Sequence, residues 1–355
     1  MPELPEVETV RRGLSELIVG KTVTHVSCLD SSKSFPNDPT AVQEFLIGAT
    51  ITTVRRRAKV LLIDLSTDYT VVIHLKMTGQ LVWIAADSQE GNPKLSQHVR
   101  SRQSIATDDS LQAVELTSAQ TSSLGLEVPE DSFGLVQNAA KDLVANSSRN
   151  DDTRFGAGHP NDSLIGDLPD RSTRVVVEFS DGSHLYFNDQ RKFGWMKLFP
   201  TIEVPNIAFM QNVGPEPLED SFTAEYFIPR IRRRNNTTIK AAILDQTVLA
   251  GVGNIYADES LWGAQIHPGT RVRDISDDKL AILLDEIKYV MNLSIEKGGS
   301  TDKNYVNAEG KRGSYIDFAR VFRREGQACS RCGTTIEKLR VAGRGTHICP
   351  RCQVQ

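Results

Sequence analysis

Over roughly the first two hundred residues, apolar positions come in short runs of four to six, the pattern of strands with at least one buried face. Runs at 22–26, 51–54, 60–65, 70–74, 81–84, 175–179, 184–187 and 195–199 are β-branched or aromatic, and turn pairs such as Thr67-Asp68 and Asp181-Gly182 separate them. Eight short strands predict an antiparallel β-sandwich. One helix precedes them, with Val7, Val10, Leu14 and Leu17 on one face. After about Pro205 the period lengthens, and 224–232, 240–244, 254–262 and 277–297 read as helices. The last starts after Ser276, a capping residue, and ends at Gly298-Gly299, where a left-handed terminus needs glycine. The pattern is that of an α+β multidomain chain.

Between 86 and 170 periodicity fades into Ser, Asn, Asp, Gln and Gly, as in Ser118-Ala-Gln-Thr-Ser-Ser123. That composition predicts a low-complexity, disordered insertion in an ordered domain, with room for one short helix at 135–144 and a deletion of 101–170 that spares activity. It also changes the charge picture. The whole chain carries -4, but the insertion holds fourteen acidic against six basic residues, which leaves the remainder at +4. A length of 355 residues allows two or three domains. The chain shows neither a signal peptide nor a long apolar run, so the expectation is a soluble, cytoplasmic protein with no membrane partner.

Four of the five cysteines form two pairs, Cys329-x2-Cys332 and Cys349-x2-Cys352, at the spacing of a four-thiolate zinc site. With four protein ligands and no open position such a site is structural: it folds a hairpin too small to hold itself together. Cys28, in a predicted strand, reads as filler.

At the other end, Met1-Pro2-Glu3-Leu4-Pro5-Glu6 sets a proline beside the initiator and carboxylates behind it. If Met1 is removed, Pro2 becomes a secondary amine with a pKa near ~8, much of it a neutral nucleophile at cell pH. Its attack on a sugar carbon gives an iminium ion whose charge no proton loss can remove. The structural alternative is a proline and acids that start a helix. Val252-Gly253-Asn254 places bare amides at a helix start, where a phosphate can sit. Arg230, Arg232, Arg233, Arg234 and Lys240 form a basic stretch. Met77 and Phe193 are apolar wedge candidates near loop tips, and Arg191 can hydrogen-bond an orphaned base, although apolar residues of this kind usually belong to cores.

Pro2-Glu3-Leu4-Pro5-Glu6-Val7-Glu8-Thr9, Arg57-Ala58-Lys59, His74-Leu75-Lys76-Met77-Thr78-Gly79, Gly214-Pro215-Glu216-Pro217-Leu218, Gly251-Val252-Gly253-Asn254-Ile255-Tyr256-Ala257 and the terminal cysteines occur in this order. In this the chain resembles the formamidopyrimidine-DNA glycosylase family over nearly all its length except the insertion. The resemblance implies an N-terminal catalytic β-sandwich at 1–205, interrupted at about 86–170, then a helix-two-turns-helix DNA-binding domain at 206–300. A lesion-capping loop and linker at 301–318 and a four-cysteine zinc finger at 319–355 would follow. It implies a bifunctional glycosylase and abasic-site lyase of base excision repair, acting as a monomer at the bacterial nucleoid on double-stranded DNA that carries oxidised bases or abasic sites. Pro2 would be the nucleophile, Glu3 the acid that assists sugar ring opening and Glu6 the support of the amine. Lys59 would be the proton donor in β-elimination, and Arg344 the zinc-hairpin arginine that grips the lesion phosphate. Met77, Arg191 and Phe193 match the void-filling triad; His74, Lys240 and Asn254 match backbone-phosphate contacts. The mobile loop at 300–315, with Lys303, Tyr305, Lys311 and Arg312, would close over the flipped base.

Three departures accompany the match. The family's histidine pair falls near the insertion, so the alignment runs either through His98 and Arg100 before it or through Thr173-Arg174 after it; His98 is the preferred match. Asn235 stands where the family tends to have lysine, leaving the phosphate to Arg233 or Arg234. Phe322-Arg323 replaces a tyrosine-glycine pair. Two other functions remain: a relative of endonuclease VIII that takes oxidised pyrimidines, which Leu4 and the Met77, Arg191, Phe193 set disfavour, and a non-catalytic zinc protein that binds DNA.

Overall fold

The computed structural model describes residues 2–29, 33–86, 154–159, 162–299 and 315–354. Helix α1 (Leu4–Ile18) leads into β1 (Val23–Cys28), a short helix α2 (Pro39–Phe45) and four strands, β2 (Ile51–Arg57), β3 (Val60–Leu65), β4 (Tyr69–His74) and β5 (Gly79–Ile84). Next among the described residues come β6 (Arg154–Gly158), β7 (Thr173–Phe179), β8 (His184–Asp189) and β9 (Trp195–Pro200). They form two antiparallel sheets, β2-β3-β4-β9 and β1-β7-β8-β5-β6. Leu61, Ile63, Val71 and Ile73 of one sheet and Leu81, Phe155, Val175 and Phe187 of the other share one core with Val7, Val10, Leu14 and Ile18 of α1. The predicted helix face is therefore the buried one, and the sandwich is the predicted sandwich.

One boundary needs correction. Strand β6 lies inside the 86–170 stretch read as low complexity. Its sequence, Arg-Phe-Gly-Ala-Gly, has little intrinsic β propensity, so no local signal marks it. Tertiary contacts hold it instead: it pairs with β5 from Gln80↔Gly158 to Ile84↔Arg154, and Phe155 fills the space beside Gly13 of α1. Arg154 donates to the carbonyls of Ser163, Leu164 and Gly166, closing the turn that follows.

The second half is helical: α3 (Ala208–Asn212), α4 (Ala224–Arg232), α5 (Ile239–Leu244), α6 (Asn254–Gly263) and α7 (Asp277–Glu296), the last capped by the Ser276 hydroxyl, which accepts from Lys279 N–H at 3.3 Å. Its core contains Phe227, Ile243, Leu261, Leu283 and Ile287, and also Leu4. The first turn of α1 thus belongs to the helical core while its later turns belong to the sandwich, which fixes Pro2 and Glu3 at the junction. A hairpin, β10 (Glu337–Val341) and β11 (Arg344–Ile348), completes the chain. Among the described residues no helix is long and apolar enough to cross a membrane.

Candidate active site and DNA-facing surface

A cleft of about 540 Å³ opens at this junction, lined by Pro2, Glu3, Glu6, Lys59, Met77, His159, Asn254 and Arg344 among others. Four separated segments of sequence meet there because α1, the β2–β3 turn, the start of the helix Asn254–Gly263 and the tip of the terminal hairpin all point to one place.

Glu3 is buried. Its backbone N–H donates to Glu6 Oε2 at 2.8 Å, its Oε1 accepts from the Ile255 N–H at 3.4 Å, and its Oε2 has no partner. Burial pushes the carboxyl up to about 7, with Glu6 adding to the rise while Lys59 and the Ile255 amide oppose it. Glu6 accepts from the buried Tyr256 hydroxyl at 2.5 Å, and that hydroxyl also meets Ser294 at 2.6 Å. Lys59 is buried too; its ammonium donates to the Val252 carbonyl at 3.0 Å. Burial lowers its pKa, against the pull of Glu3 and Glu6 and with help from Arg344. A buried acid held half-protonated near neutrality and a buried, weakened ammonium line one cleft, the condition for proton transfer in both directions.

The glycines of the Gly251-Val-Gly253 turn are required by this packing. A Cβ on Gly253 would overlap the Glu3 carboxyl group; Gly251 has φ +81° and its Cβ would strike the Leu4 side chain. Asn254 starts the helix beyond and donates its amide to the Gly345 carbonyl at 3.1 Å, joining the helix to the hairpin tip. Arg344 is exposed there and faces the cleft.

Met77, Arg191 and Phe193 come together across the β4–β5 and β8–β9 turns. Arg191 Nη1 lies 3.4 Å from Met77 Sδ and the guanidinium lies 4.9 Å from the Phe193 ring centre, with Met77 and Phe193 both substantially exposed. Two uncovered apolar side chains beside an arginine are costly on a free surface and suit insertion into a duplex. The buried carboxylate of Asp189 holds the loop, accepting from the Thr78 hydroxyl, Arg191 N–H at 3.2 Å and Gly194 N–H at 2.6 Å.

Other expected contacts sit differently. Lys240 is fully buried, so it cannot reach a phosphate. Its ammonium donates to Asp258 at 2.6 Å, Thr346 Oγ1 at 2.7 Å and the Gly345 carbonyl at 3.1 Å, tying the helical domain to the strand that carries Arg344. Arg234 is exposed but outside the cleft lining, paired with Asp245 at 2.7 Å. His74 is largely buried against Trp195 and Phe209; burial, with Lys76 and Lys59, pushes it down to about 3, and its Nδ1 accepts from the Lys76 N–H at 3.0 Å. It therefore offers a neutral Nε2–H donor and no charge. His98, Lys303, Tyr305, Lys311 and Arg312 lie outside the described residues. Sequence reasoning missed His159, which follows β6 into the cleft and has no signal in its Gly-rich surroundings. It also gave no account of Phe322-Arg323, both of which line the cleft; Phe322 packs edge-on to His347 at 5.2 Å.

The Sγ atoms of Cys329, Cys332, Cys349 and Cys352 lie within 4.8 Å of one another, with Cys332–Cys349 at 3.4 Å, Cys332–Cys352 at 3.5 Å and Cys329–Cys352 at 4.0 Å. Tetrahedral zinc with Zn–S near ~2.3 Å needs about 3.8 Å between sulfurs, so the set fits. Arg331, inside the first pair, stacks on Trp262 at 3.9 Å and donates to the Trp262 and Gly263 carbonyls, docking the hairpin on the helical domain.

A sandwich and a helical domain meeting over Pro2, with a four-cysteine hairpin at their edge, are the parts of a zinc-finger DNA glycosylase and lyase of base excision repair. Family models agree segment by segment: the formamidopyrimidine-DNA glycosylase N-terminal domain matches residues 1–118, its H2TH domain 213–305, and the zinc finger found in FPG and IleRS 326–354. Formamidopyrimidine-DNA glycosylase of Pediococcus pentosaceus is 36% identical over 100% of this chain and 99% of its own, and that of Herpetosiphon aurantiacus 36% identical over 99% and 100%. Among solved structures, a point mutant of Lactococcus lactis FPG in complex with a Fapy-dG containing DNA is 27% identical with a TM-score of 0.72, covering 100% of both chains. MutM in complex with carbocyclic 8-oxo-G containing DNA gives 27% and 0.71, again over 100% of both. The chain belongs to the formamidopyrimidine-DNA glycosylase family.

Proposed function

We propose that this glycosylase excises oxidised purines, 8-oxoguanine and formamidopyrimidines, from the duplex through Pro2 and then cuts the strand. Removal of Met1 frees the Pro2 amine in the cleft. Its lone pair forms a bond to C1′ of the extruded nucleotide, and the base leaves with the electrons of its own glycosidic bond, taking up the proton that the proline nitrogen gives up. Glu3, protonated near neutrality, delivers its proton to O4′ as the sugar opens, giving the iminium. Loss of a C2′ proton then expels the 3′-phosphate, Lys59 serving as proton donor, and a second elimination expels the 5′-phosphate held by Arg344. Glu6 supports the amine and its charge. Met77, Arg191 and Phe193 fill the gap left by the extruded nucleotide, with Arg191 facing the estranged cytosine. Asn254 and His74 contact backbone phosphate, and Arg234 can do so on giving up Asp245. Zinc, when bound to the four thiolates, supplies shape to the hairpin and no chemistry. The protein would work in the bacterial cytoplasm, on the nucleoid.

The observation that carries this reading is the buried, unpartnered oxygen of Glu3 in the cleft that also holds Pro2 and Lys59. Borohydride trapping on 8-oxoguanine duplexes tests it: a covalent adduct is expected with Pro2 at the junction, and Pro2→Gly, which keeps a primary amine, must trap far less. Equal trapping by the variant refutes the nucleophile. A preference for thymine glycol opposite adenine over 8-oxoguanine opposite cytosine refutes the purine assignment.

A further inference from the structure

Lys59 stands on a two-residue turn between β2 and β3, where Arg57 pairs with Val60. The first turn residue, Ala58, has φ +51°, a conformation that suits glycine in such hairpins and that an alanine resists. A free hairpin of this sequence would relax and carry the lysine with it. What holds it is Glu216, between α3 and α4 at the start of the helical domain. Its Oε1 accepts from the Ala58 N–H at 2.5 Å and from Arg57 Nη1 at 3.0 Å, and its Oε2 accepts from Arg56 Nη1 at 2.8 Å. Arg57 also donates to the Gly214 carbonyl at 2.7 Å, and Arg56 reaches Glu8 of α1 at 3.1 Å. Glu216 and Ala58 are both buried, so the charge-assisted bond between them is shielded from water, while Arg57 stays partly exposed.

We propose that Glu216 is a positioning residue for Lys59. Its carboxylate imposes the left-handed conformation at Ala58 that aims the Lys59 ammonium into the cleft. Because Glu216 leads into the helical domain, it sets the lysine only when the two domains are correctly seated. This rests on the proposed role of Lys59 in strand cleavage. The consequence is specific: removing Glu216 should misdirect Lys59, and a glycine at 58, which adopts φ +51° freely, should restore it. Merely losing stability would not be cured by adding a flexible residue.

The test is single-turnover cleavage of a duplex with a preformed abasic site, by full-length zinc-loaded protein, with thermal melting in parallel. Glu216→Ala should slow strand cleavage about tenfold or more, since displacing a reacting group by about 1 Å can cost up to ~100-fold. Adding Ala58→Gly to it should recover most of the rate while the melting temperature stays low. If Glu216→Ala is unfolded at the assay temperature, Glu216→Gln decides, since it keeps one acceptor and loses the ion pairs; a smaller slowing, again relieved by Ala58→Gly, is expected. A normal rate in a folded variant, or a loss that Ala58→Gly leaves untouched, overturns the inference. Lys59→Ala separates the premises: if it cleaves abasic DNA at the wild-type rate, the role of Lys59 fails; if it is slow while Glu216→Ala is normal, only the positioning role fails.

Discussion

At the scale of single residues, function here is burial of groups that water would level. Glu3 has an ordinary value of 4.5 and a folded value of about 7, so the native state binds its proton more tightly than the unfolded chain does. Stability from this group is complete below about 4.5 and falls as pH rises through about 7. Glu3→Gln removes the loss. It should melt higher than wild type at pH 8 by the equivalent of at most about 3 kcal/mol, near equality at pH 4.5, with excision abolished. A protonated Pro2 amine beside Glu3 makes that figure a ceiling; an unchanged melting difference between the two pH values would show that the carboxyl is not desolvated. Gly253→Ala tests the same packing, since a Cβ overlapping the carboxyl group must move Glu3 or the helix start. Excision should fall at least about tenfold while the protein still folds. Pro2 was legible as a candidate from its own short motif, whereas Glu3 and Lys59 took their roles from the family resemblance, Lys59 otherwise reading as surface charge after an arginine run. Lys240 misled for a physical reason: a lysine in a basic run looks solvated until Asp258, eighteen positions on in a second helix, encloses it.

Secondary elements carry the chemistry into register, and they were legible in proportion to how far their own sequence decides them. The strands with β-branched runs and the capped helix Asp277–Glu296 follow from periodicity. Strand β6 does not, because its glycines are chosen to fit Leu164 and the sheet edge and leave no pattern. The expectation that deleting 101–170 spares activity therefore changes. That deletion removes β6 and the Phe155 side chain from the core, a loss of about 3–5 kcal/mol by analogy with other buried phenylalanines, and takes His159 from the cleft. It should lower the melting temperature and the activity, whereas deleting 101–150 should lower neither. The terminal hairpin is the opposite case, fully announced by its cysteines. Cys349→Ser should lose zinc by elemental assay and with it abasic-site cleavage, while the sandwich keeps its cooperative melt. Trp262, stacked under Arg331, should change its fluorescence on the same loss. Cleavage that survives without metal would mean that Arg344 is not held by the hairpin.

For the whole molecule the sign of the net charge is a poor guide to the partner, and salt dependence separates the two. The chain totals -4, yet the residues outside 86–170 total +4. Binding to DNA releases counterions only where cations meet phosphates, so the slope of log K against log[salt] counts contacts, at about -0.9 for each phosphate neutralised, and ignores charge elsewhere. Residues 101–150 hold seven acidic and three basic side chains, so deleting them brings the chain from -4 to 0. If the phosphate contacts are confined to the cleft face, the deletion variant and the full chain should show the same slope in a titration from about 50 to 200 mM salt. Only the low-salt affinity should rise, by a few fold, as a long-range repulsion that a Debye length of about 10 Å at 0.1 M mostly screens is removed. A slope that steepens on deletion would place part of the acidic segment against the DNA-binding face, competing for it. A slope near zero in both proteins would remove the phosphate grip assigned to Arg344.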